Sequence, residues 1–189
     1  MLTSTVEDYL KALHRLGGSA ELVSFGPIAG ALGVTSGTVT TMMKHLGDSG
    51  LVDYLPRRGA RLTEAGRLAS MRVIRRHRLA ELFLVDVLGM EMSEVHPEAE
   101  ILEHALSDRL TDLIDQYLGH PAYDPHGSPI PDGSGAIREA SLKPIIERAE
   151  GGRYHLIRLT RTDEAFIDWL ASFGITVGGD VGLAKRELI

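Results

Sequence analysis

Residues Gly33–Leu62 read GVTSGTVTTMMKHLGDSGLVDYLPRRGARL, and the order of signals in this stretch decides the fold. Gly33 suits a turn, Thr35 and Ser36 suit a helix N-cap, and Val39, Met42, Met43 and Leu46 recur at helical spacing. Residues 36–47 therefore read as a helix that Gly50 ends. Leu51–Leu55 reads as a strand, Pro56–Gly59 as a turn and Ala60–Leu62 as a return strand. Upstream, residues 25–32 read as a short helix around Ile28, Ala29 and Leu32. Residues 5–16 read as an amphipathic helix carrying Val6, Tyr9, Leu10, Leu13 and Leu16, opened by a Thr5–Asp8 capping box and closed by Gly17-Gly18-Ser19. Helix, short helix, turn, helix and hairpin is the winged helix-turn-helix pattern. Thr35, Ser36, Gly37, Thr38, Thr41 and Lys44 then line the start of a recognition helix, where small side chains approach phosphates and base edges. Arg57 and Arg58 sit at the hairpin tip, within reach of backbone phosphate. Ordinary capping and solvation account for any one of these residues; order and spacing together point to double-stranded DNA.

Downstream, Thr63 caps a long helix over residues 63–88 that Gly89 ends, a short helix follows around Met92–Val95, and another helix is expected over 97–118. Pro97 suits the first helical position, and on the helix it opens Glu100, Glu103 and His104 fall at i, i+3 and i+4 on one face. His77 and Glu81 are likewise i and i+4. Two carboxylates and an imidazole on one face can hold a divalent metal ion. Taken singly, such acids complement the helix dipole and such pairs decorate a surface; their co-occurrence favours a metal. With no cysteine in the chain, the ligands on offer are oxygen and imidazole nitrogen, which suit Mn, Fe(II), Co, Ni or Zn. The apolar faces carrying Leu79, Leu82, Phe83, Leu102, Leu106 and Leu110 are the expected dimer surface, with monomer core as the competing role.

From Gly119 the character changes. Residues 119–135 are dense in Pro and Gly and read as a linker. Residues 153–159 alternate like a strand, 163–173 read as a helix with Phe166, Trp169 and Leu170, and 178–183 as another strand. This β-rich piece has few strands with which to close a sheet, so it is expected to be incomplete. The division is 1–72 for DNA binding, 73–138 for metal binding and dimerisation, and 139–189 for the small module. Charge is divided too: residues 1–82 carry 11 Lys/Arg and 7 Asp/Glu, the remainder 9 and 19. A basic part joined to an acidic part fits an anion-binding module beside a cation-binding one. There is no apolar run of membrane-spanning length and no basic-plus-apolar leader, so a cytoplasmic chain without a membrane partner is expected.

The stretches VEDYLKALHRL, IAGALGV, SGTVTTMMKHLGDSGLV, RLTEAGRLA, IRRHRLAELFL, VHPEAEILEHALSD and PHGSPIP, in this order over residues 5–131, resemble the diphtheria-toxin-repressor family of metal-dependent transcriptional repressors. The tail LIRLTRTDEAFIDWLASFGITVGGDV resembles the start of the SH3-like (FeoA-type) domain of longer members. The resemblance implies a mainly α fold: an N-terminal winged helix-turn-helix, a helical metal-binding and dimerisation domain, and the small C-terminal β module. It places a primary metal site on Asp8, Glu100, Glu103 and His104, and an ancillary site on His77, Glu81 and His96 with Glu164 as contributor. The iron-sensing branch looks to carry Met and Cys where Asp8 and Glu100 stand here, and harder oxygen ligands suit manganese. The implied protein is a homodimeric, Mn(II)-dependent repressor of operator DNA, with an iron-dependent repressor as the alternative and Co(II), Ni(II) or Zn(II) as substitutes in vitro. Lys11 departs from short manganese-type members, which place an acid there, and Arg161 stands where the iron branch's C-terminal domain supplies a carboxylate. A di-metal oxidase needs matched Glu-x-x-His motifs on two helices, and only one dense motif is present, so no enzyme is expected. A repressor sensing an organic ligand leaves the acid and histidine set unexplained, so none is expected.

Overall fold

Thr3, in extended backbone, accepts a hydrogen bond from the Val6 amide and so starts helix α1, Ser4–Arg15. The expected cap, Thr5, lies inside the helix instead, because the earlier hydroxyl already satisfies a first-turn amide. In the computed structural model, which describes residues 2–138 and 141–185, helices predominate and the chain divides into two compact units. One runs to Arg75 and takes in Pro131–Ala136; the other is Arg76–Ile130 with the described residues from Ile137 onward.

In the first unit α1 is followed by α2 (Phe25–Leu32) and α3 (Ser36–Asp48), then by an antiparallel hairpin of β1 (Val52–Leu55) and β2 (Gly59–Leu62). Gly33, with φ of 65°, closes α2 in the left-handed conformation, and Thr35 caps α3 by accepting from the Thr38 amide. Leu10, Leu13, Ile28, Val39, Met43 and Leu46 are fully buried in one core with Val52, Ala60 and Leu62. Burying each large side chain is worth about 1.5–3 kcal/mol relative to leaving it exposed. Val23 and Ala60 exchange two 2.9 Å backbone hydrogen bonds beside the hairpin. Gly59 permits this: its φ is +147°, and a Cβ there would stand 2.2 Å from the Val23 carbonyl oxygen.

Helix α4 (Glu64–Asp86) passes from the first unit to the second, which also holds α5 (Val95–Ala105) and α6 (Asp108–Tyr117). The single helix expected over 97–118 is two helices. Leu106 is extended (φ −70°, ψ 119°), and the Ser107 hydroxyl accepts from the Leu110 amide to start α6. A strong N-cap signal here overrides continuous apolar periodicity. The short helix expected around Met92–Val95 is a turn at 92–94 leading into α5. Pro97 is therefore the third residue of α5, still within the first turn, where its missing N–H costs no helical bond. Leu79, Ile114 and Ile130 are buried together with Leu82, Phe83, Leu106 and Leu118 against them. Leu79, Leu82, Phe83 and Leu106 thus belong to this core, while Ile101, Leu110, Leu113 and Tyr117 are exposed on α5 and α6.

Residues 119–135 are not a linker. Asp124 Oδ1 accepts from the amides of His126 (2.9 Å) and Ser128 (2.8 Å), and Asp132 Oδ1 accepts from Ser134 and Ala136. Side-chain-to-backbone turns of this kind fold a Pro- and Gly-rich segment without a helix or sheet. Within their own units, Arg75 donates to the Pro131 carbonyl and Arg78 to that of Pro129. The rest of the second unit is a small sheet module. A 3₁₀ turn at Ile145–Glu147 precedes β3 (Gly152–His155), α7 (Glu164–Ser172) and β4 (Asp180–Leu183), with β3 and β4 antiparallel. β3 stops before the expected 159 because the Leu159 amide donates to the His126 carbonyl at 2.9 Å. No described helix is long and apolar enough to cross a membrane.

Gly59→Ala is expected to destabilise the first unit by about 1–3 kcal/mol, combining a left-handed φ with a backbone clash. Thermal unfolding followed by circular dichroism reads this directly, and an unchanged midpoint would refute the close approach to Val23.

Candidate metal centre

The helical spacing of α4 sets His77 and Glu81 one turn apart, and that of α5 does the same for His96 and Glu100. All four converge. Glu81 Oε1 lies 3.0 Å from His77 Nε2 and 3.0 Å from His96 Nδ1, and the two rings approach to 3.2 Å between those nitrogens. His96 Nε2 is 3.4 Å from Glu100 Oε1. The other ring nitrogen of His77 meets Glu103 Oε2 at 2.6 Å, and Glu103 Oε1 is 3.6 Å from His104 Nε2. Hydrogen bonds and ion pairs therefore run from Glu81 through His77 to Glu103, joining residues that the family resemblance assigns to separate sites. Glu103 is wholly buried, His77 and Glu81 nearly so, and Glu100 and His104 are half-buried.

The turn at 124–128 brings in two residues that sequence reasoning missed. His126 Nδ1 faces Glu81 Oε2 at 3.7 Å, and Arg78 Nε is 3.6 Å from Asp124 Oδ2. Asp124 and His126 are both buried. The available signal was an Asp-x-His spacing within Asp124-Pro125-His126-Gly127, overshadowed by the Pro and Gly content around it. Gly127 makes the packing feasible: at φ +80°, a Cβ there would fall 1.9 Å from the Ile157 carbonyl oxygen.

Within the second unit, two sets of donors among the described residues are close enough to share an ion. In His77, His96 and Glu100, and again in Glu81, Asp124 and His126, one ligand atom per residue lies within 4.8 Å of the others. The donors are oxygen and imidazole nitrogen, which fits a divalent first-row ion. His126 Nε2 is buried without a hydrogen-bond partner, an arrangement that costs free energy until a ligand satisfies it. Glu164, the first residue of α7, is exposed and belongs to neither set. Asp8 is half-buried on α1 of the first unit.

Burial opposes charge on Glu81, but the imidazoles of His126, His77 and His96 outweigh it and hold the carboxyl far below its usual range. Burial, and then the charge of Glu81, push the Asp124 carboxyl up. His126 is raised overall: burial opposes its charge, yet Glu81 and Asp124 prevail. Glu81 is thus held as a carboxylate, and His126 beside it is favoured in its protonated form.

In the first unit, Ser36, Gly37, Thr38, Thr41 and Lys44 are exposed along α3, after the capping Thr35. Arg57 and Arg58 are exposed at the hairpin tip, where Arg57 takes a left-handed φ of 62°.

Comparison with known proteins gives a consistent picture. Residues 1–60 match the family described as "Iron dependent repressor, N-terminal DNA binding domain", and residues 63–132 match "Iron dependent repressor, metal binding and dimerisation domain". The chain is 32 % identical over 197 residues to the diphtheria toxin repressor of Corynebacterium diphtheriae, covering 98 % of this chain and 87 % of that protein. It is 35 % identical over 130 residues to the iron-dependent repressor IdeR of Mycobacterium tuberculosis, covering 69 % and 56 %. Among solved structures, a manganese-dependent transcriptional repressor in complex with manganese superposes with a TM-score of 0.86 at 37 % identity, over 96 % of this chain and 84 % of that one. ScaR with bound Zn2+ superposes with a TM-score of 0.79 at 35 % identity, over 96 % and 85 %.

The pKa directions define a pH window. The raised His126 contributes stability that is fully present below pH 6.5 and is lost as pH rises through its folded value. The lowered Glu81 contributes stability present above pH 4.5 and lost only as pH falls through its folded value. A metal ion held by His126 would require the neutral imidazole, so loading at any pH below the raised folded value would expel a proton, and binding would tighten as pH rises toward that value. Calorimetric Mn(II) titrations in two buffers of different ionisation enthalpy should register that proton. His126→Gln should abolish its release; equal release by the variant would show that His126 does not ligate.

Proposed function

This chain belongs to the diphtheria toxin repressor family of metal-dependent transcriptional repressors, and from that membership we propose that it is a manganese-dependent repressor of metal-homeostasis genes. The observation that carries the choice of metal is the character of the ligands: Asp8 and Glu100 offer carboxylate oxygen, and the chain has no cysteine. The likeness to a solved manganese-dependent repressor supports the same choice.

In this reading Asp8, Glu100, Glu103 and His104 form the primary site, Asp8 entering by family resemblance. His77, Glu81 and His96 form the ancillary set, with Glu164 a contributor by the same resemblance and Asp124 and His126 added by proximity to Glu81. Bound manganese would supply the dication that offsets the negative charge of these carboxylates. Thr35, Ser36, Gly37, Thr38, Thr41 and Lys44 approach the major groove, and Arg57 and Arg58 reach backbone phosphate. The exposed apolar residues Ile101, Leu110, Leu113 and Tyr117 serve homodimerisation, which sets two recognition helices at half-sites about 34 Å apart. Because ligands come from the DNA-binding part and from the helical part, operator binding and ligand closure favour each other reciprocally, typically by about 1–3 kcal/mol. The work is done on DNA in the cytoplasm, without a membrane partner or an organic effector. The relatives are transcriptional repressors and not enzymes. An iron-dependent repressor is the second reading, favoured by the histidine-rich set of His77 and His96 around Glu81.

Glu103→Ala or His104→Ala is expected to abolish Mn(II)-dependent retention of operator DNA in a gel-shift assay. Full retention by wild-type protein after metal is removed with a chelator would sink the mechanism. Asp8→Met combined with Glu100→Cys should shift preference toward Fe(II) in anaerobic titrations. An unchanged Mn/Fe response would show that these two positions do not set selectivity.

A further inference from the structure

The chain passes between its two units within α4, at residues 75 and 76, and again at 130/131 and 136/137. The short segment between the last two crossings, 131–136, lies on the part of α4 that belongs to the first unit. Ile130, just before it, is buried in the second unit with Leu79 and Ile114. Pro131 is buried in the first unit, and its carbonyl accepts from Arg75 at 2.8 Å. Gly135 is buried too, at φ +79°, and a Cβ there would stand 3.2 Å from Leu68 Cδ2 and from Met71 Cβ. The Gly135 carbonyl accepts from Arg67 Nη1 at 3.4 Å, and Glu64 fixes the rest of that guanidinium at 2.8 and 2.7 Å. Between these anchors the exposed Asp132 shapes the segment. Its Oδ1 accepts from the Ser134 amide (2.9 Å), the Ser134 hydroxyl (2.6 Å) and the Ala136 amide (3.0 Å).

Both ends of this segment lead to functional elements through backbone contacts. On one side is the turn that carries Asp124 and His126: the Ile130 amide donates to the Ala122 carbonyl at 2.9 Å, and Arg78 donates to the Pro129 carbonyl. On the other side is the start of α4. Gly66 abuts the Leu51 carbonyl so closely that a Cβ would stand 2.0 Å from its oxygen. The Thr63 hydroxyl donates to the Gly50 carbonyl at 2.8 Å, and the Leu51 amide to the Leu46 carbonyl of α3 at 2.9 Å. Close-packed backbone has little room to yield, so a displacement of the first turns of α4 is felt at the end of α3.

We propose that residues 131–136 are a strap that carries metal occupancy of the 124–126 turn to α3. Arg67 and Arg75 are the positioning residues that hold the strap on α4, and Asp132 sets its shape. Two sites are coupled when both bias one element, and this segment is joined by backbone to the ligand turn and by two guanidiniums and a glycine contact to the helix behind α3. Arg67, Arg75 and Asp132 belong to neither donor set. The inference rests on the metal-dependent repressor reading above and adds the route by which metal acts on the DNA-binding unit.

The test uses the full chain and a duplex selected with Mn(II) from a random-sequence pool. The quantity read is the factor by which Mn(II) tightens duplex binding. Asp132→Ala removes the acceptor of three hydrogen bonds and is expected to lower that factor about fivefold. Its metal-free duplex affinity and its duplex-free Mn(II) affinity are expected to stay near the wild-type values. Asp132→Asn keeps an acceptor oxygen without the charge and is expected to retain the wild-type factor. Arg75→Gln releases Pro131 with the Asp132 turn intact and is expected to lower the factor likewise, so the inference is decided even where Asp132→Ala fails to fold. Hydrogen exchange read by mass spectrometry gives a second measure: Mn(II) alone should slow exchange over residues 63–71 in the wild type and not in Arg75→Gln. A wild-type factor in Arg75→Gln overturns the strap and leaves the repressor reading in place. So does an Asp132→Asn variant that loses the factor, because charge and not shape would then be responsible. Absence of any Mn(II)-dependent enrichment from the pool overturns both.

Discussion

A buried carboxylate surrounded by imidazoles dominates the second unit. Glu81 is only 2 % exposed, and a lone charge at that depth would cost several kcal/mol. His77 and His96 meet one of its oxygens at 3.0 Å each, and His126 approaches the other. Those three rings come from α4, from α5 and from the 124–128 turn. The need to neutralise one carboxylate thus holds three chain segments in register. This is also what a metal site requires before its ion arrives: donors already gathered, and a charge balance that a dication can take over from protons.

The turn that supplies Asp124 and His126 shows how a loop can be as well determined as a helix. The Asp124 carboxylate binds two amides of its own turn, Gly127 lets the Ile157 carbonyl approach, and the His126 carbonyl accepts from Leu159. The small sheet module is therefore attached to the backbone of the turn that carries two candidate ligands. Any shift of that turn is felt by the strand-like segment 156–159, because a close backbone contact has little room to yield.

Much of this was legible in the chain. The winged helix-turn-helix elements followed from caps, periodicity and turn residues, and α2, α3 and the hairpin lie where those signals put them. His77 with Glu81, and Glu100 with Glu103 and His104, were recognisable because one helical turn brings i and i+4 together. Ser107 shows the limit of that logic: the stripe Leu102, Leu106, Leu110 reads as one helix, yet a single hydroxyl cap splits it. The Pro- and Gly-rich segment shows another limit, since composition alone does not separate a linker from a turn stabilised by aspartate.

The sequence by itself determined the class of the protein: a DNA-binding winged helix ahead of helices bearing oxygen and nitrogen donors. Those signals are local, carried within one turn, one cap or one hairpin. Only the tertiary structure decided that Glu103 bonds to His77, that Glu81 meets both His77 and His96, and that Asp124 and His126 belong beside it. These partners lie some tens of residues apart in the chain. No periodicity encodes them; they are set by which buried charges must be neutralised when the segments pack.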